Sequence, residues 1–162
     1  MRPRFPTPMW WWFMLNILIL MAMTAPKSNA RNLSPDEFYL TQAIYFESGV
    51  EDYQCKIKLA QTIMNRVNKR SWHDNIKDVV WQRKQFSYTH DGKTEYMDQS
   101  THTYKSSFAA AQEVLYGNIK DISRGADHFI NHDIADPKVN WFNSMKFVGS
   151  CGNHWFYKSK RK

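Results

Sequence analysis

The sequence predicts an α+β domain dominated by helices, with a few short strands in the C-terminal half. Two observations carry this. Apolar residues recur at helical spacing through the first two thirds of the chain. The last third changes to short runs of β-branched and aromatic residues separated by polar turns. Unlike elements that come in succession rather than alternating point to an α+β arrangement. Hydrophobic residues make up 43% of the 162 residues and aromatics 15%, enough to bury one core. No internal period and no low-complexity stretch is present.

Residues 1–30 stand apart. Arg2 and Arg4 precede an apolar run from Trp10 to Met23 broken only by Asn16, and small residues follow at Ala25 and Ser28-Asn29-Ala30. A basic start, an apolar stretch and a small-x-small site read as a secretory signal. The same run, with Trp10, Trp11 and Trp12 as interfacial anchors, also fits a retained signal-anchor through residues 10–25. A buried core helix is the third reading. Both export readings put residues 31–162 outside the cytoplasm, in the periplasm or cell envelope, either secreted or membrane-anchored.

The helices follow in order. Ser34-Pro35-Asp36-Glu37 is a helix start: serine caps free N–H groups, proline fits the first helical position and Glu37 completes a capping box. Leu40, Ala43, Ile44 and Glu47 then share one face up to Gly49. A second helix over about 53–70 carries Ile57, Ala60, Ile63, Met64 and Val67, and a short one at 75–81 carries Ile76, Val79 and Val80. Gln85 to Tyr88 and the Asp91-Gly92 turn predict an extended excursion. A long helix over 99–116 turns Tyr104, Phe108, Ala111 and Leu115 inward and stops at Gly117. Asp127–Ile130, Met145–Val148 and His154–Tyr157 predict three strands. Residues 159–162 form a basic tail, expected to be a solvated end, after a domain spanning 31–158.

The net charge of +7 falls to +4 once Arg2, Arg4 and Lys27 are set aside, since residues 1–30 hold no acid. A mildly basic domain suits an anionic partner such as a wall polymer or membrane surface. Nucleic acid is not expected, because no Lys/Arg block is interleaved with aromatics in a recognisable binding module. A monomer is expected. Cys55 and Cys151 suit an oxidising compartment. The stripe of Ala60, Ile63, Met64 and Val67 sets Cys55 on the opposite, exposed face, and both a bridge and two free thiols remain compatible with that. With no CxxC spacing, the cysteines carry no metal signal.

Glu47 carries the chemistry. A carboxyl on the apolar face of a helix, one turn before its end, is partly desolvated and its pKa rises. A neutral acid is what glycosidic cleavage needs, because the leaving oxygen is protonated as the bond breaks. The plainer readings are that Glu47 caps a neighbouring helix or pairs with Arg66.

Four ordered stretches carry a resemblance. They are Ala43-Ile44-Tyr45-Phe46-Glu47-Ser48-Gly49-Val50-Glu51, Leu59 to Val67 ending in Asn65-Arg66-Val67, Gln85-Phe86-Ser87 with Asp91-Gly92, and Trp141 to Lys146 followed by Gly152-Asn153-His154-Trp155-Phe156-Tyr157. From Phe38 to Lys158 the chain resembles the catalytic domain of SleB/CwlJ-type cell wall hydrolases, the spore cortex-lytic enzymes. The resemblance implies a lysozyme-like, transglycosylase-like scaffold that cleaves peptidoglycan glycan strands, with the family's catalytic glutamate at Glu47 and no cofactor. It also implies a lytic transglycosylase product with a 1,6-anhydro-muramic end, formed without a second carboxylate. Phe86, Ser87, Trp141 and His154 are the candidate substrate contacts, with no metal ligands. Two departures concern the cleft. The family's basic residue after its glutamate-small pair has no counterpart at Gly49-Val50, and Asn131–Asn140 is longer than the family's usual connection.

Two other readings compete. His128 and His132, with Asp133 beside them and His154 downstream, point to a zinc amidase or peptidase, since two histidines and a carboxylate leave an open coordination position. A membrane-tethered, non-catalytic wall-binding module is the other. Trp72, Trp81, Trp141 and Trp155 are all able to stack on sugars, and Trp141, flanked by Asn140 and Asn143, is the best placed by sequence.

Overall fold

The computed structural model describes residues 32–93, 95–133 and 140–160. The segment read as a secretory signal or a signal-anchor, most of the 131–140 connection and the last two residues of the expected basic tail lie outside them. Residues from Leu33 onward form one unit. Four helices come first: α1 (Pro35–Ser48), α2 (Tyr53–Val67), α3 (Ile76–Trp81) and α4 (His102–Tyr116). Three strands follow: β1 (His128–Asn131), β2 (Lys146–Cys151) and β3 (His154–Lys158). The predicted α+β class, helices before strands, is the observed one.

The capping box of α1 is present in full. The Ser34 hydroxyl accepts from the Glu37 N–H at 3.2 Å, and the Glu37 carboxylate accepts from the Ser34 N–H at 2.8 Å. Leu40, Ala43 and Ile44 are fully buried. They join Ile57, Leu59, Ala60, Ile63, Val79, Val80, Ala110 and Ala111 in the main core, where α1 packs on all three other helices and α2 packs on α4. Helix α4 begins at a Thr101 cap rather than at 99, because the Thr101 hydroxyl accepts from the Tyr104 N–H at 3.1 Å.

Helix α2 departs most from expectation. It ends at Val67, three residues early, where the Asn68 N–H turns back to the Met64 carbonyl. It is also buried on two faces. Besides the Ile57-Ala60-Ile63 stripe, Cys55, Leu59, Thr62 and Arg66 are buried, because the sheet packs against this second side. Cys55 is therefore not exposed but 4% accessible. It is bonded to Cys151 at the end of β2, across a Cα–Cα distance of 5.4 Å.

The sheet has the order β1-β3-β2, antiparallel throughout. Phe156 faces α2 and forms a second core with Ala126 and Val148, and Phe129 joins it to the helical core. The extended excursion at 85–88 is a single extended residue, Phe86, followed by a 3-10 turn over Ser87–His90. Phe86 is fully buried, which pulls the backbone inward instead of along a strand. The chain end is less free than expected: the N–H and hydroxyl of Ser159 both donate to Asp127.

Candidate active site

Glu47 sits in the last turn of α1, half-buried, where the helix meets the 3-10 turn after Phe86. The Ser87 N–H and hydroxyl both donate to its Oε1, at 3.3 and 3.4 Å. Burial raises the Glu47 pKa above the ordinary carboxylate value; the Ser87 donors and the Arg66 charge oppose this without cancelling it. Both Ser87 donors fall on Oε1 rather than on Oε2.

The carboxyl opens into a cleft of about 660 Å³, walled on one side by residues 83–87 and His90 and on the other by Phe129, Ile130, Asn131, Trp141 and His154. The five residues singled out by sequence, Glu47, Phe86, Ser87, Trp141 and His154, thus border one cavity. Phe86 and His154 do so from buried positions, while Trp141 is 38% exposed. Burial holds the His154 pKa below the usual histidine value, against the pull of Glu51, whose Oε1 lies 3.7 Å from Nδ1.

Beneath the cleft lies Arg66. It does not reach Glu47 as an ion pair. Its Nε donates to the Asp127 carbonyl at 2.6 Å, and its guanidinium lies over the rings of Trp72, Phe86 and Phe129 at 4.6 to 5.6 Å. Burial pulls its pKa down to about 10, against the opposing pull of the Asp127 and Glu47 charges. Asp127 is itself buried, and burial favours its neutral form. Hydrogen bonds from His128, Lys69 and Ser159 overcome this and hold it well below the usual carboxylate range. The Tyr88 hydroxyl is buried, and its pKa is pushed up by that burial and then by the neighbouring Glu47 charge.

Sequence reasoning did not single out Phe129, Asn131, Gln85 or His90 as cleft residues. Phe129 had a signal in the Ala126-Asp127-His128-Phe129 run. Asn131 at the end of β1 and Gln85 and His90 on either side of Ser87 reach the cleft only through the packing of the sheet and the 3-10 turn against the helices. The histidines of the metal reading are engaged elsewhere. His128 Nδ1 is 2.9 Å from Asp127 Oδ1, and His132 Nε2 is 3.2 Å from the Tyr157 hydroxyl. The His132 ring also lies against Trp155, at 3.9 Å between centroids. Among the described residues, no group of three His, Cys, Asp or Glu side chains converges as a metal site.

A helical domain with a half-buried glutamate facing a cleft is a scaffold that presents a carboxyl to whatever occupies that cleft. The family described as Cell Wall Hydrolase matches residues 50–157, and the chain belongs to it. Glu47 lies just ahead of the matched span. A spore cortex-lytic enzyme of Halalkalibacterium halodurans is 29% identical over 117 residues, which are 72% of this chain and 33% of that protein. The chain therefore spans about a third of that relative's length. Among solved structures, the catalytic domain of the Bacillus cereus SleB protein matches with a TM-score of 0.60 at 26% identity, over 79% of this chain and 94% of that one. The catalytic domain of the germination-specific lytic transglycosylase SleB from Bacillus anthracis matches with a TM-score of 0.64 at 23% identity, over 79% and 98%. The lysozyme-like, predominantly helical expectation agrees with these neighbours.

Proposed function

We propose that this domain cleaves the glycan strand of peptidoglycan, with Glu47 as its single general acid and base. The observation that carries the reading is the Glu47 carboxyl, raised in pKa by burial and opening into the cleft. Membership of the cell wall hydrolase family and the likeness to a spore cortex-lytic enzyme support the choice of polymer.

The chemistry needs no further group. The protonated Glu47 carboxyl gives its proton to the glycosidic oxygen, the C1–O bond breaks, and the bonding pair leaves with that oxygen. Positive charge spreads over C1 and the ring oxygen of the muramic residue. The carboxylate left behind is stabilised by both Ser87 donors and by Arg66. It then takes the proton of the sugar's own C6 hydroxyl as that oxygen bonds to C1. The product carries a 1,6-anhydro end and Glu47 is acidic again. Trp141 and Phe129 offer ring faces to the sugars.

Glu47→Gln keeps the shape but has no acid proton, so folding should survive while glycan cleavage falls by about 100-fold or more. The assay is release of muropeptides from purified walls, with mass spectrometry of the new ends. Anhydro ends carry the transglycosylase reading, and reducing ends would make the enzyme a hydrolase with water as acceptor. A fully active Glu47→Gln protein would overturn the role of Glu47. The same reading sets the domain outside the cytoplasm, exported or anchored through residues 10–25. The Cys55–Cys151 bridge suits an oxidising compartment of that kind.

A further inference from the structure

A second cavity, of about 290 Å³, lies at the β2 edge of the sheet, whereas the cleft is walled from the β1 edge. It is lined by Arg124, Lys146, Phe147, Val148, Gly149 and Lys158. Three of the six are cations, and the Lys58 ammonium stands behind Gly149, where an added Cβ would lie 3.2 Å from Nζ. Among the described residues, none of these four cations forms an ion pair with a carboxylate.

Three features of this cavity are unfavourable in isolation, and each brings a positive charge to it. Lys146 and Lys158 sit directly opposite each other in the β2–β3 register, and like charges so placed repel. Arg124 holds a left-handed backbone, φ 57°, which a non-glycine residue adopts at a cost. Gly125 beside it, φ 73°, leaves the space that the end of Lys158 fills. Lys58 is drawn out of solvent beside Arg124, and burial followed by that neighbour lowers its pKa. Two of the four cations are also tethered to the β2 backbone. The register shift between Phe147 and Gly149 kinks β2. Around that kink, Arg124 Nη1 donates to the Val148 carbonyl at 3.4 Å and Lys58 Nζ to the Ser150 carbonyl at 3.2 Å. Convergent cations on a bulged strand, with their repulsion uncompensated, are the electrostatic complement of an oxyanion.

We propose that this cavity binds an oxyanion carried by the cell wall, holding the polymer at a point separate from the cleavage cleft. The shared chemistry is a phosphate or carboxylate group. Two wall components supply it: phosphodiester-linked polymers attached to the glycan, and the carboxylates of the stem peptides. The inference rests on the proposed wall substrate only for the identity of the polymer.

The test is co-sedimentation of the full chain with purified walls at low salt, comparing the parent with Arg124→Asn and with Lys146→Gln/Lys158→Gln. Asparagine tolerates the left-handed backbone, so Arg124→Asn removes charge without adding strain. Lys105→Gln/Lys120→Gln matches the double variant in net charge and serves as its control. The pocket variants should bind at least about tenfold more weakly, and the control should bind like the parent. Cleavage of short soluble glycan fragments should be unchanged in all. Lys146→Gln/Lys158→Gln should melt no lower than the parent in phosphate-free buffer, and inorganic phosphate should raise the melting temperature of the parent and the control but not of the pocket variants. Walls stripped of phosphate polymers and walls freed of stem peptides identify the source: the treatment that abolishes the difference between parent and pocket variants names it. Pocket variants that bind like the parent, or a control that loses as much, would overturn the proposal. A chain that cuts no glycan yet binds walls through this pocket would sink the cleavage reading and leave this one standing.

Discussion

Ser87 gives Glu47 two donors from one residue, and the consequence is readable in pH. Both hydrogen bonds favour the charged carboxylate, so they lower a pKa that burial has raised. Ser87→Ala removes the hydroxyl donor and keeps the N–H, and the Glu47 pKa should rise further. Activity that needs protonated Glu47 falls as pH climbs through that pKa. The basic limb of the kcat/KM profile should therefore move to higher pH in Ser87→Ala, while kcat drops by roughly tenfold as the carboxyl loses orientation. A basic limb that stays in place or moves down would show that Ser87 does not act through Glu47. Arg66 works at longer range. Clamped by the Asp127 carbonyl and surrounded by Trp72, Phe86 and Phe129, it supplies a positive charge that favours the ionised Glu47 carboxyl.

At the scale of elements, α2 holds the domain together. One side packs in the helical core through Ile57, Ala60 and Ile63, and the other meets the sheet and carries Cys55 and Arg66. Ile63 is fully buried among neighbours from other helices. Ile63→Ala should cost about 2–5 kcal/mol, the lost transfer energy plus the cavity left behind. Urea unfolding with an unchanged m-value would measure it, and a cost below about 1 kcal/mol would mean that the core relaxes around the gap. Most elements were legible locally. The α1 start lay in Ser34-Pro35-Asp36-Glu37, and the strand pattern at His154–Tyr157 is the observed β3 shortened by one residue. The second buried face of α2 was not legible, because one apolar stripe accounts for a surface helix and says nothing of a sheet that begins only at His128. The same omission made Cys55 look exposed.

Across the whole molecule, the Cys55–Cys151 bond ties α2 to the end of β2 over a sequence separation of 96. A loop of that length removes considerable entropy from the unfolded chain. Reduction should therefore lower stability by about 2–5 kcal/mol, with a corresponding fall in melting temperature. Thermal unfolding with and without reductant measures this, and an unchanged midpoint would show that packing alone sets the stability. The bond joins the helical half, which carries Glu47, to the sheet half, which brings Phe129, Asn131 and His154. Reductant should thus also reduce cleavage by loosening the cleft.

What the sequence determined by itself is local and chemical. Periodicity, caps and turn residues specify the helices and strands, because hydrogen bonding and burial on one face act between near neighbours. Glu47 stood out because an acid on an apolar stripe is desolvated, while its expected catalytic role came from the resemblance of Ala43 to Glu51 to a known family rather than from periodicity. Tertiary structure decided which distant groups meet. It brought Ser87 rather than Arg66 to the carboxyl, seated Arg66 on the Asp127 carbonyl, engaged His128 and His132 away from one another, and gathered Lys58, Arg124, Lys146 and Lys158 around one cavity. Each of these depends on how the β1-β3-β2 sheet lies against α2, and side chains far apart in the chain have no local pattern that records such a meeting.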